Sequence, residues 1–155
     1  MKKIAILCLL FLLNLAVGNA QNFPVGFRNV TFTAAFNNQS INARVFYPGA
    51  SNTQNATVVS GTYPIIAFGH GFNLNYLDYI QLCNNLASKG YLVISPDVQN
   101  GFSVNHSDFA KQLSACITYL QSESNTTTSP FFQRAGNTCG SLGHSMGGGS
   151  RFWFR

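Results

Sequence analysis

Gly143-His144-Ser145-Met146-Gly147 is the stretch of this sequence whose residue types and spacing best suit covalent chemistry. A serine hydroxyl is a weak nucleophile until a base takes its proton, and it must project clear of the backbone to meet a carbonyl. Glycines two residues to either side permit a sharp strand-to-helix turn that holds Ser145 at a strained apex. Side chains at Gly143 or Gly147 would strike the neighbouring strand and helix. A helix beginning behind the serine adds its N-terminal dipole, and the backbone N–H of Met146 can donate to an oxyanion. The chemistry would be acyl transfer through a covalent acyl-serine. Glycine- and serine-rich loops produce this pattern by chance, so its weight depends on the elements that precede it.

Those elements have the right order. From Gln21 to Gly61 short β-type runs alternate with turn residues: Val30 to Thr33, then Ile41 to Tyr47, with Asn37-Asn38 between them and Pro48-Gly49 at the close. This predicts an antiparallel hairpin at the start of the domain. Ile65-Ile66-Ala67-Phe68 then reads as a buried strand running into the tight turn Gly69-His70-Gly71, which makes its C-terminal end a candidate site. Tyr76, Tyr79, Ile80, Cys83, Leu86 and Ala87 fall at helical spacing, with Gly90 placed to close the helix in a left-handed conformation. Tyr91 to Ser95 reads as a second buried strand. Phe109, Leu113, Cys116, Ile117 and Leu120 form a second helical stripe, which Ser107 or Asp108 would cap. A polar loop is expected over 121–138, then a short strand over Cys139 to Leu142 that feeds Gly143. Strand, helix, strand, helix, strand, turn is the rhythm of an α/β sheet with parallel central strands. His70-Gly71 ends the strand that should supply a second oxyanion donor.

With these motifs in order, PIIAFGHGFNLNYLDYIQLCNNLASKGYLVISPD, FAKQLSACITYL and GHSMGGG resemble the α/β-hydrolase superfamily, specifically its secreted polyesterase (cutinase-like) and chlorophyllase-like serine esterases. The resemblance runs from about Pro64 to Gly149. It implies the N-terminal part of an α/β-hydrolase fold, a mostly parallel sheet with flanking helices, over a partial domain at 21–155. It also implies that Ser145 is the nucleophile of a carboxylic-ester hydrolase, that Met146 is the first oxyanion residue, and that Phe72, after His70-Gly71, is the second. Phe72 would further offer its ring to the acyl or aromatic part of a hydrophobic or lipid-like ester. No cofactor is expected, since serine acyl transfer needs none, and no cysteine or histidine cluster has metal-ligand spacing.

The triad acid and base of such enzymes follow the serine, and neither follows Ser145 here; Ser150-Arg-Phe-Trp-Phe-Arg replaces the apolar helix of the relatives. Upstream substitutes read more simply as structural. His144 should point away from the Ser145 hydroxyl, and His70 reads as turn-forming. His106 reads as a solvated loop histidine, Asp97 as a turn carboxylate and Asp108 as a helix cap. The 155 residues alone are therefore expected to be inactive, a fragment of a serine esterase. The alternative is a non-catalytic secreted protein that keeps an aromatic binding cleft.

Composition narrows the rest. Met1 to Ala20 reads as a secretory signal, with Lys2 and Lys3, the apolar run Ile4 to Val17, and small residues at Gly18 and Ala20. That run is shorter than the roughly 20 apolar residues of a membrane span. Secretion agrees with acceptor sequons at Asn29, Asn38, Asn55, Asn105 and Asn125. The formal charge of +5 falls to +1 once Lys2, Lys3, Arg151 and Arg155 are set aside, and no basic stripe remains to bind nucleic acid. Cys83, Cys116 and Cys139 are an odd number outside the signal, so at least one lacks an intramolecular partner.

Overall fold

The computed structural model describes residues 22–97 and 105–150. The expected signal at 1–20 and the aromatic tail at 151–155 lie outside the described residues.

Alternation along the strands decides the architecture. In β2 (Ser40–Pro48), Ile41, Ala43, Val45 and Tyr47 enter one core while Phe46 enters another. β3 (Tyr63–Gly69) divides Ile65 and Ala67 from Phe68, and β4 (Leu92–Pro96) divides Leu92 and Ile94 from Val93. Strands that are apolar on both faces need cover on both. One face is covered by α1 (Ile80–Ser88), which buries Cys83 and Ala87. The other is covered by α2 (His106–Asn125), which buries Phe109, Leu113, Cys116, Ile117 and Leu120. Each full burial of such a large apolar side chain contributes about 1.5–3 kcal/mol, so the α2 stripe is a principal attachment of that layer.

With β1 (Val25–Thr33) and β5 (Ala135–Gly143) the sheet has five strands in the order β1-β2-β4-β3-β5. β1 and β2 form the expected antiparallel hairpin, in register from Val25 opposite Pro48 to Thr33 opposite Ser40. β2 is also antiparallel to β4, whereas β4-β3 and β3-β5 are parallel. This is a partial α/β-hydrolase fold. Parallel pairing aligns the C-terminal ends of β3 and β5, and it sets Gly69 opposite Gly143.

Several boundaries differ from expectation, among them the start of β1, at Val25 rather than Val30. The helix read over Tyr76 to Ala87 begins as a 3₁₀ turn, Tyr76–Tyr79, closed by a capping box between Asn75 and Asp78, and only then becomes α1. α1 ends as expected, with Gly90 at φ 92 and its N–H on the Ala87 carbonyl. Neither Ser107 nor Asp108 caps α2. The helix starts earlier, so Asn105 is the cap, its Oδ1 accepting the N–H groups of Ser107 and Asp108 at 3.0 and 3.2 Å. Finally, the polar loop shrinks to 126–134. α2 runs on to Asn125 because polar side chains there return to the backbone, as Asn125 Nδ2 donates to the Gln121 carbonyl at 2.9 Å. β5 starts at Ala135 because an edge strand paired only with β3 keeps polar residues such as Asn137 and Thr138 exposed.

Candidate active site

β5 delivers Gly143 to a turn in which Ser145 has φ 51 and an exposed side chain, and α3 (Met146–Ser150) begins at the next residue. A left-handed φ at a non-glycine residue costs roughly 1–2 kcal/mol, so the surroundings must impose it. They do so through backbone contact. A Cβ added to Gly147 would lie within 2.2 Å of the Gly69 carbonyl oxygen, and one added to Gly143 within 2.4 Å of the Gly147 carbonyl carbon. Strand β3, the turn and α3 therefore touch at glycine surfaces. Hydrogen bonds fasten the same contact. The His144 N–H donates to the Gly69 carbonyl at 3.1 Å, and the Gly147 N–H lies 3.1 and 3.0 Å from the carbonyls of His70 and His144.

The β3 turn is held as closely. His70 is fully buried, its ring 5.2 Å from that of Phe109. Its Nδ1 lies 2.9 Å from the Gly71 carbonyl. A carbonyl only accepts, so Nδ1 carries a proton. Gly71 is buried as well, and its N–H donates to the Tyr79 hydroxyl at 3.1 Å. That hydroxyl lies 2.8 Å from His144 Nδ1. Sequence reasoning placed Tyr79 only on an apolar helical face and missed this polar role. Its position eight residues beyond Gly71, just after the turn, was the available signal.

With this geometry in view, the comparisons with known proteins can be read. The sequence pattern of the chlorophyllase family matches residues 31–154, which takes in the whole sheet except part of β1, and the Ser145 turn. The chain belongs to the chlorophyllase family. Within a 40-residue stretch it is 42% identical to Chlorophyllase-1 of Arabidopsis thaliana, covering 26% of this chain and 12% of that relative. Its fold is similar to that of a ferulic acid esterase from Streptomyces cinnamoneus, with a TM-score of 0.64 and 17% identity over 85% of this chain. The chain spans 55% of the length of that esterase.

In this chlorophyllase-family chain the turn from Gly143 to Gly147 meets Gly69, His70 and Gly71 at the C-terminal end of β3, and Phe72 follows next in sequence. Met146 is buried, while Phe72 is 47% exposed. The other candidates have the following places. Asp97 follows β4 directly, its N–H on the Asn42 carbonyl at 2.8 Å, and Asp108 pairs with Lys111 at 3.0 Å. His106 is the first residue of α2 rather than a loop residue, and its ring lies near 4 Å from where a Gly149 Cβ would stand. Among the described residues no hydrogen bond joins Ser145 Oγ to an imidazole or a carboxylate.

Cysteine offers no rival nucleophile in the cores. Burial pushes the Cys83 thiol up to about 12 and raises Cys116 further still, so neither forms a thiolate near neutrality. The two lie in different cores, and Cys139 is exposed on β5; all three are free thiols. The five sequon asparagines are all exposed. Among the described residues, cavities open away from the serine. One of about 420 Å³ is lined by Phe32, Phe36, Lys111 and Tyr119, and one of about 680 Å³ by Phe27, Arg44 and Phe46. Among the described residues no group of three His, Cys, Asp or Glu side chains converges, and no helix is long and apolar enough to cross a membrane.

Proposed function

We propose that this chain carries the nucleophile and oxyanion portion of a secreted serine hydrolase acting on hydrophobic carboxylic esters. The observation that carries the proposal is the turn at Ser145: an exposed hydroxyl at φ 51, held there by glycine backbone pressed against Gly69. Ser145 Oγ attacks the ester carbonyl carbon and its proton passes to a base. The carbonyl π electrons move onto oxygen, where the backbone N–H groups of Met146 and Phe72 stabilise the oxyanion. Collapse expels the alcohol, which takes up the proton, and leaves acyl-Ser145. Water repeats the sequence to release the acid. Phe72, half-exposed and next in sequence to the buried Gly71, supports a preference for apolar or aromatic acyl groups.

Without an added base these 155 residues turn over no ester. The three histidines and four carboxylates of the sequence all lie among the described residues. His144 Nδ1 is engaged by Tyr79 and His70 Nδ1 by the Gly71 carbonyl. Among the described residues no imidazole or carboxylate is hydrogen-bonded to Ser145 Oγ. Secretion is proposed from the 1–20 signal, and the exposure of Asn29, Asn38, Asn55, Asn105 and Asn125 supports glycan attachment; amino-terminal sequencing of exported protein should begin near Gln21.

The decisive experiment supplies the base from outside. The purified chain is treated with p-nitrophenyl butyrate with and without millimolar imidazole, and acyl-protein is measured by intact mass and peptide mapping. Butyryl on Ser145 with imidazole only, absent in Ser145→Ala, is expected. Saturable ester binding with no acylation would overturn the reading in favour of a non-catalytic binding protein.

A further inference from the structure

Two loops flank Ser145, and one hydroxyl touches both. Gly71 precedes Phe72, and His144 precedes Ser145; Tyr79 Oη lies 3.1 Å from Gly71 N and 2.8 Å from His144 Nδ1. The backbone N–H can only donate, so Oη accepts from Gly71. A phenol has one hydrogen, and its donation to His144 Nδ1, with the His144 proton on Nε2, is the arrangement that satisfies both short contacts in a single chain of donors.

We infer that Tyr79 is a positioning residue that clasps the His70-Gly71-Phe72 turn to the Ser145 turn and so sets the spacing of the two oxyanion donors. The inference rests on the hydrolase reading and adds to it a residue that touches neither substrate nor nucleophile. Space at the junction agrees. A Cβ on Gly71 would lie 2.9 Å from His144 Nδ1 and 3.0 Å from Tyr79 Oη, so glycine is what lets the three groups meet. The Tyr79 ring is itself anchored, tilted at 4.9 Å against the fully buried Phe68 and 5.9 Å from the His144 ring. An oxyanion hole works only when its donors are fixed before the charge develops. Met146 and Phe72 come from separate loops, and the hydroxyl is a direct tie between them.

Tyr79→Phe keeps the ring on Phe68 and removes only the oxygen. In 15N-histidine-labelled protein, His144 should show an accepting Nδ1 and a protonated Nε2, and Tyr79→Phe should convert this to mixed tautomers. Gly71 amide exchange should accelerate in the same variant. Acylation of Ser145 with imidazole present should fall about 10- to 100-fold in its maximal rate, the loss typical of a misplaced donor, with little change in the ester concentration giving half-maximal rate. His144→Asn keeps an acceptor near the Nδ1 position and should acylate at close to the original rate, whereas His144→Leu should resemble Tyr79→Phe. Unchanged His144 and Gly71 signals in Tyr79→Phe would overturn the clasp. Altered signals with unchanged acylation would overturn its positioning role. Failure of Ser145 to acylate even in the unsubstituted chain would sink the hydrolase reading, while the nitrogen shifts still decide the clasp.

Discussion

Gly147→Ala should disrupt the site by sterics alone. The new Cβ would stand 2.2 Å from the Gly69 carbonyl oxygen, 2.3 Å from its carbon and 2.8 Å from its Cα. Nonbonded carbon contacts are comfortable near 3.5 Å or beyond, so β3 and α3 must separate by roughly 1 Å. Neither side can yield by rotating a side chain, because both are backbone. Overpacking of this kind costs about 1–3 kcal/mol. The movement also stretches the Gly147 N–H away from the His70 and His144 carbonyls, and a lost hydrogen bond adds about 0.5–1.5 kcal/mol. The expected total is about 2–4 kcal/mol. Gly140→Ala is the matched control, on the exposed part of β5 with nothing within 4 Å of its Cβ, and should stay within about 0.5 kcal/mol. With urea m-values of about 1–3 kcal/mol/M, Gly147→Ala should lower the unfolding midpoint by about 0.7–4 M, and Gly140→Ala should barely move it. Imidazole-dependent acylation of Ser145 should vanish in the first and persist in the second. Equal midpoints for the two variants would refute the claim that glycine contact with β3 holds the turn.

Other substitutions test neighbouring links. Ser145→Gly removes both the proposed nucleophile and the left-handed strain at φ 51; it should abolish acylation yet hold or raise stability by up to about 1 kcal/mol, and a lowered Tm would contradict the strain argument. In the folded chain at pH 8, iodoacetamide should modify Cys139 while Cys83 and Cys116 react only after unfolding; peptide mapping reads this directly, and rapid labelling of Cys116 would mean the α2 core is open. Alkaline stability follows from the raised groups. Burial lifts Cys83 from 9.0 to about 12, and Tyr119 from 10.0 to about 12, Tyr119 being further raised by Glu123 and partly lowered by Arg28. Below pH 9 both groups are protonated in folded and unfolded chains alike. Above it the unfolded chain loses these protons first, so stability should decline between about pH 9 and 12, and a urea midpoint flat across that window would refute the assignment.

What could be read from sequence, and what could not, follows the range of the interactions involved. The central strands were readable because burial on both faces demands unbroken apolar runs such as Ile65 to Phe68, and the α2 stripe because its period repeats over several turns. Asn105 was hidden as a cap because Ser107 and Asp108 are equally suitable residue types, and only the observed start of the helix chooses among them. The first half of β5 was hidden because an edge strand exposed along Asn137 to Gly140 lacks a hydrophobic pattern. The same distinction divides the site. Gly143 and Gly147 announce a strained serine because their need is steric and local. The tie between Gly71 and His144 runs through Tyr79, which is 65 residues from His144, and no spacing rule reveals it. Presentation of Ser145 is therefore a property of backbone packing at β3, β5 and α3, whereas activation of a serine is a matter of the side chains around it. The two can be separated experimentally, and added imidazole does so by supplying a proton acceptor while leaving the packing untouched.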